Sequence, residues 1–252
     1  MEREEARRRR LRVYVVLAAF ALIAVGLVAF RLRPNTRPVL SPPGAPLTVG
    51  VAEDASLVAA FNDPDTDRHT VLWQFGDGKT GEGTPIDVAW DQPGEYFVQV
   101  MVDDHRGGIA RWDAPLSVNV LPVAPVPPRD KNLTAVSAYA EFGSSLRTTT
   151  VAADIAFDAS SSGVWRWTPN GMGGGNWSTA PDTSRINRWL WDFGDGDTLD
   201  NATVDGAAAK HSYLRGGLYF VKLTVFIPDD VGTPGLDETS SASWGVTIRI
   251  RD

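Results

Sequence analysis

Carboxylates set between glycines, three histidines and nine tryptophans are the groups of this chain with chemistry to offer. Residues 71–80 read VLWQFGDGKT and residues 189–198 read WLWDFGDGDT, identical at seven of ten positions and 118 residues apart. Asp77 and Asp195 hold the same place in the two copies. A carboxylate doing acid–base work needs a second carboxylate or an imidazole in reach, and neither has such a companion at a motif spacing. The flanking Gly76, Gly78, Gly194 and Gly196 tolerate positive φ, and a short Asp side chain accepts bonds from nearby backbone N–H groups. The phrase therefore reads as a strand entering a tight hairpin turn. Trp73 and Phe75, like Trp191 and Phe193, fall on one side of that strand and bury large rings. There is no cysteine, nucleophile elbow, zinc-protease helix, phosphate loop or dinucleotide fingerprint. The sequence reads as a non-enzyme without a cofactor.

Metal chemistry has one candidate. Asp63, Asp65 and Asp67 stand at i, i+2 and i+4, a spacing that suits oxygen-ligated calcium. The sixth position of that run lacks glycine and the twelfth is Gln74 rather than glutamate, so it is not an EF-hand loop. Asp103-Asp104 and Asp229-Asp230 follow long strands and are placed to approach similar sites. Solvated turn acids and a calcium site are the two readings. His69, His105 and His211 are scattered without metal-ligand spacing. Asn132, Asn176 and Asn201 each begin an Asn-x-Ser/Thr sequon, an acceptor for N-glycosylation on an exposed surface.

The elements that would position these groups are strands. Glu95–Val102 reads EYFVQVMV, with Tyr96, Val98, Val100 and Val102 on one face and Phe97, Gln99 and Met101 on the other. Residues 218–227 repeat the pattern, with Tyr219, Val221, Leu223, Val225 and Ile227 facing together. Alternation rich in β-branched and aromatic residues marks strands. Shorter runs at 116–120 and 245–250 close each half. The 24 glycines and 17 prolines suit many turns, and no amphipathic helix follows Arg33. The expected fold class is all-β, two tandem antiparallel sandwiches of about seven strands behind one transmembrane helix.

The copies also carry a family resemblance. WDFGDG followed by His211-x-Tyr213-x-x-x-Gly217-x-Tyr219-x-Val221-x-Leu223-x-Val225 resembles the polycystic kidney disease (PKD) domain, as does the earlier FDASSS at 157–162. The first copy is similar through WQFGDG and its Gly-x-Tyr-x-Val-x-Val strand, but has Val88-Ala89-Trp90 where His-x-Tyr is expected. The resemblance implies immunoglobulin-like sandwiches over most of 47–121 and 150–250. It also implies a role in extracellular spacing, adhesion, or protein and carbohydrate contact. It places His211 in a backbone bond near the Trp191 turn.

Val13 to Phe30 contains no charge, and as a helix would span about 27 Å. Residues 1–37 hold a net charge of +6 and the rest of the chain −13. The arginine-rich start predicts a cytoplasmic N-terminus, with the remainder outside the cell. An acidic body argues against a nucleic-acid partner. The expected organisation is a basic stub at 1–12, a signal anchor at 13–32, a proline-rich spacer at 33–46, a first sandwich at 47–121, a linker at 122–129 and a second sandwich at 130–252. The second sandwich has an insertion at about 163–186 that holds Trp165, Trp167 and Trp177 around a glycine-rich bend. Long loops on rigid sandwiches are common binding sites, and tryptophans there would contact a protein or a sugar; the other reading is that the loop folds back and its tryptophans cover the sheet edge. The expected function is a cell-surface interaction module. Its alternatives are a carbohydrate-binding module or a subunit of a surface layer or filament.

Overall fold

Alternating apolar residues become strands wherever the pattern is strong, because each strand then buries one face and leaves the other to neighbours or solvent. The computed structural model describes residues 35–65, 68–132, 134–201, 206–228 and 240–252. The first domain runs β1 (Val39–Leu40), β2 (Leu47–Gly50), β3 (Ala55–Leu57), β4 (Phe61–Asn62), β5 (Thr70–Gln74), β6 (Thr80–Glu82), β7 (Ile86–Val88), β8 (Gly94–Asp103), β9 (Ile109–Arg111) and β10 (Leu116–Leu121). The second runs β11 (Ala135–Tyr139), β12 (Gly143–Ser144), β13 (Thr148–Thr150), β14 (Ile155–Asp158), β15 (Gly163–Pro169), β16 (Gly175–Pro181), β17 (Arg188–Asp192), β18 (Thr198–Asn201), β19 (Ala208–His211), β20 (Gly217–Ile227) and β21 (Ser240–Arg251).

Each domain is a sandwich around its own core. In the first, β8 pairs with β10 through its first half and lies between β5 and β9 through its second. Its alternate residues Tyr96, Val98, Val100 and Val102 are at most 2% exposed and pack against Trp73, Phe75 and Trp90. In the second, β17, β20 and β21 form the main sheet, and β12-β14-β19 faces it across Phe157, Trp191, Val221 and Leu223. Pairing is mostly antiparallel, but an early strand of each domain runs parallel to its last: β2 beside β10 and β13 beside β21.

The two domains also share a sheet. β21 pairs in parallel with β8 at Gly245↔Gly94 and Val246↔Glu95, so one eleven-stranded sheet crosses the boundary. A Cβ on Gly94 would lie 2.1 Å from the Gly245 oxygen, so only a bare backbone fits there.

Two expectations are corrected. Among the described residues no helix is long and apolar enough to cross a membrane, and Thr183–Arg185 is a single 3-10 turn. Among the described residues the fold class is all-β without the expected transmembrane helix, and none of them supports the single-pass cell-membrane location built on that helix. The backbone groups of the described chain are satisfied between strands rather than within an apolar helix. The segments expected as stub and anchor, residues 1–12 and 13–32, lie outside the described residues. Within the expected spacer, residues 39–40 form β1, which pairs with β4, and Ser41 N–H donates to Ala60 O.

Candidate functional site

The repeated phrase folds as the same turn twice. Gly76, Gly78, Gly194 and Gly196 have φ between 80° and 102°, the left-handed region that favours glycine. Asp77 Oδ1 accepts the Lys79 N–H at 2.9 Å, and Asp195 Oδ1 accepts the Asp197 N–H at 3.2 Å. Trp73 and Trp191 are buried, each donating its indole N–H to a backbone carbonyl, of Gly83 and Gly206 respectively. Tyr213 donates its hydroxyl to Phe193 O at 2.9 Å. In the first domain, where His-x-Tyr is missing, Trp90 Nε1 donates to Phe75 O at 3.1 Å and performs the same closure.

His211 does not bond backbone as its family position suggests. Its Nε2 lies 2.7 Å from Asp195 Oδ2, and its ring stacks on Phe193 with centroids 4.2 Å apart. Donor atoms of Asp195, Asp197 and His211 all lie within 4.8 Å of one another. Sequence reasoning missed this grouping because His211 stands 14 and 16 positions after the two aspartates and meets them only when β19 folds over the turn. The His-x-Tyr frame after Gly-Asp-Gly-Asp was the signal that held it.

The acids of the calcium candidate that are described each accept hydrogen bonds of their own. Asp63 Oδ1 accepts the Asp65 N–H at 2.8 Å, and Asp65 Oδ2 accepts the Thr36 N–H at 2.5 Å. Asp104, 1% exposed, accepts bonds from Asn35 Nδ2 and from the N–H groups of Arg106 and Gly108. Burial alone raises the Asp104 carboxyl, but those bonds outweigh it and hold the group below the usual carboxylate value. A hydrogen bond from His69 Nε2 at 2.8 Å lowers Asp63, while Asp104 is near enough to oppose that shift. The Asn35 Oδ1 atom is buried without a hydrogen-bond partner. Asp67, Asp229 and Asp230 lie outside the described residues. Asp103 instead turns to the His105 N–H.

The tryptophan-rich insertion is a hairpin. β15 and β16 pair from Gly163↔Pro181 to Pro169↔Gly175, and β11 adds on the other side of β15. Trp165 and Trp167 are two residues apart and share a face; Trp177 is the cross-strand partner of Trp167 and joins them. On the opposite face Val164 and Ala138 are buried in the core, while Arg166 and Thr168 are exposed; on the tryptophan face Ala135 is buried with Trp167. Tyr139 meets Trp165 edge-on at 5.6 Å, and Trp167 meets Trp177 at 5.7 Å. Trp167 is buried and donates to Lys131 O, whereas Trp165, Trp177 and Tyr139 are half-buried. The Trp177 indole N–H has no partner. Asn176, on β16, and Asn132 are exposed; Asn201, ending β18, is half-buried. A separate cleft of 1170 Å³ opens between the domains, lined in part by Gln74, Gln99, Arg111, Arg249 and Asp252.

A family model described as the PKD domain matches residues 35–120 and 175–242, more than half of the chain. No curated protein matches the chain. Among solved structures it is similar to a chimeric titin Z1Z2 tandem carrying a GRGDS peptide from fibronectin, at 10% identity over 85% of this chain and 100% of that one, with a TM-score of 0.30. A structure of carbohydrate-binding modules from the β-sandwich superfamily aligns at 16% identity over 87% and 94%, TM-score 0.30. Tandem immunoglobulin repeats of Dlar align at 9% identity over 85% and 98%, TM-score 0.24.

Proposed function

The chain belongs to the PKD domain family, and from that premise we propose that it acts as an extracellular binding module whose contact surface is the aromatic face of the β11-β15-β16 sheet. The observation that carries this reading is the placing of Tyr139, Trp165, Trp167 and Trp177 on the sheet face turned away from the Val164 core. Tyr139, Trp165 and Trp177 stay half-exposed while packing on one another or on the buried Trp167; aromatic side chains held in this way are pre-organised and contribute large contact area at little entropic cost. The partner proposed is another protein. A glycan is the second reading, favoured by the same half-exposed indole rings, which stack on sugars.

Affinity capture with the full chain and with Trp165→Ala and Trp177→Ala chains tests the proposal, alongside a glycan array. Specific capture of one protein, reduced tenfold or more by either change, supports the first reading. Array binding lost on the same changes replaces it with the second. Capture that is indifferent to both changes sinks the site.

Calcium is a further part of the proposal. Asp63 and Asp104 lie near enough to influence each other, and Asp104 bonds the Asn35 amide, whose Oδ1 is buried without a partner; these are oxygen donors, the kind a hard cation selects. The expected result is calcium binding to the full chain by calorimetry, weakened at least tenfold in Asp63→Asn. Equal binding by that variant refutes the assignment.

A further inference from the structure

The turn of the second domain gathers two carboxylates and an imidazole that the binding reading does not use. We propose that Asp195, Asp197 and His211 bind a divalent transition-metal ion of the zinc type.

The donor set is mixed nitrogen and oxygen, which suits zinc and its neighbours better than calcium or magnesium. Its geometry is already constrained. Gly194 and Gly196, both at positive φ, turn the backbone so that Asp195 and Asp197 come off one tight loop, and Phe193 N–H donating to Asp197 O closes it. Stacking on Phe193 at 9° to its plane and edge contact with Tyr213 at 4.7 Å fix the His211 ring, which leaves Nε2 aimed at Asp195. Donors on a tetrahedral ion at about 2.0–2.2 Å stand roughly 3.5 Å apart. The three donor atoms lie within 4.8 Å of one another, and the 2.7 Å contact from His211 Nε2 to Asp195 Oδ2 opens by under an ångström to reach the tetrahedral spacing. The His211 and Asp195 side chains are 12% and 22% exposed, so an ion has an entry path and room for water as its fourth ligand.

The first domain supplies an independent comparison. Its turn has the same Asp, Asp77, but Lys79 stands where the second domain has Asp197, and Val88 where it has His211. The Lys79 ammonium lies 3.5 Å from Asp77 Oδ2 and 2.6 Å from Asp91 Oδ2. The first copy thus places a covalently attached cation against its turn carboxylate. The second copy has lost that cation and collected three metal-ligating groups at the same point of the fold.

The test is zinc titration of the tag-free full chain by calorimetry, with Asp197→Lys and His211→Gln as variants. Asp197→Lys copies the arrangement that already folds in the first domain, so loss of binding there is not loss of fold; unchanged circular dichroism checks this. The expected result is one zinc ion per chain, with binding weakened at least tenfold in both variants and zinc-dependent shifts of the His211 imidazole resonances. Calcium uptake through Asp63 is unaffected by either variant, so the two metal assignments fail or stand separately. A wild-type chain that takes up no zinc, or an Asp197→Lys chain that binds as tightly as wild type, overturns the proposal.

Discussion

At the scale of single residues, the two glycines of each turn do different work. Gly76 and Gly78 both have φ near 85°, but a Cβ on Gly76 would come within 2.7 Å of Phe97 O and Thr247 Oγ1, while a Cβ on Gly78 meets nothing within 4 Å. Gly78→Ala is expected to cost about 1 kcal/mol, from the backbone conformation alone. Gly76→Ala adds a clash with backbone and is expected to cost about 3 kcal/mol or more. Urea unfolding of the two variants checks the difference. The buried tyrosines set an alkaline limit. Burial, with nearby Asp carboxylates adding to it, pushes the Tyr96 and Tyr213 hydroxyls well above the usual phenol value of 10.0. Above about pH 10 the unfolded chain therefore loses protons that the folded chain keeps, and stability falls as pH rises. Urea midpoints at pH 8 and pH 11 are expected to show that loss. Tyr213→Phe, which also forfeits the bond to Phe193 O at a cost of about 1 kcal/mol, is expected to make the loss smaller. The turn itself was legible in the sequence, since Gly-Asp-Gly after an aromatic strand has few other uses. The Asp195–His211 pair was not, because strand register rather than spacing along the chain brings those residues together.

At the scale of elements, the long strands were legible wherever alternation was strong: β8 and β20 bury the faces their sequences mark. The tryptophan insertion was legible as a special segment but not as a hairpin. Its glycines drew attention as a flexible bend, whereas Val164-Trp165-Arg166-Trp167 already alternates, and Asn170 with Gly171 and Gly173 at positive φ makes the turn between two paired strands. Trp167 is the residue that holds this hairpin, packed on Trp177 and bonded to Lys131 O. Trp167→Ala is expected to destabilise the second domain by about 3 kcal/mol and to open residues 170–175 to proteolysis. Trp165→Ala is expected to cost less, because that ring is half-exposed and keeps its place through Tyr139. Thermal unfolding with a protease-nicking assay separates the two. A hairpin that stays intact in Trp167→Ala would show that main-chain pairing alone maintains it.

At the scale of the whole molecule, the two tandem domains were legible in the sequence but their joint was not, because nothing in a single-chain pattern says which strand edges will meet. The joint rests on specific contacts. Thr247, fully buried, donates its hydroxyl to Gly76 O at 2.8 Å, which ties β21 to the turn of the other domain. Phe220 stacks on Tyr96 at 5.1 Å and so joins the first core, and Arg147 pairs with Glu95 and lies over the Phe97 ring. Gly245 lets these contacts form, since a Cβ there would sit 2.0 Å from the Phe220 ring. Two sandwiches joined by a continuous sheet and a buried side-chain bond are expected to unfold together, as tandem domains joined only by a linker would not. Calorimetry of the wild type should give one transition. Thr247→Val, which leaves the Gly76 carbonyl buried and unpaired, is expected to weaken the joint by about 1–3 kcal/mol. Combined with Gly245→Ala, which displaces Phe220 from Tyr96, it is expected to split that transition in two and to lengthen the particle in solution scattering. Two transitions in the unmodified chain would mean that the shared sheet adds no cooperativity and that each turn-and-core unit folds for itself.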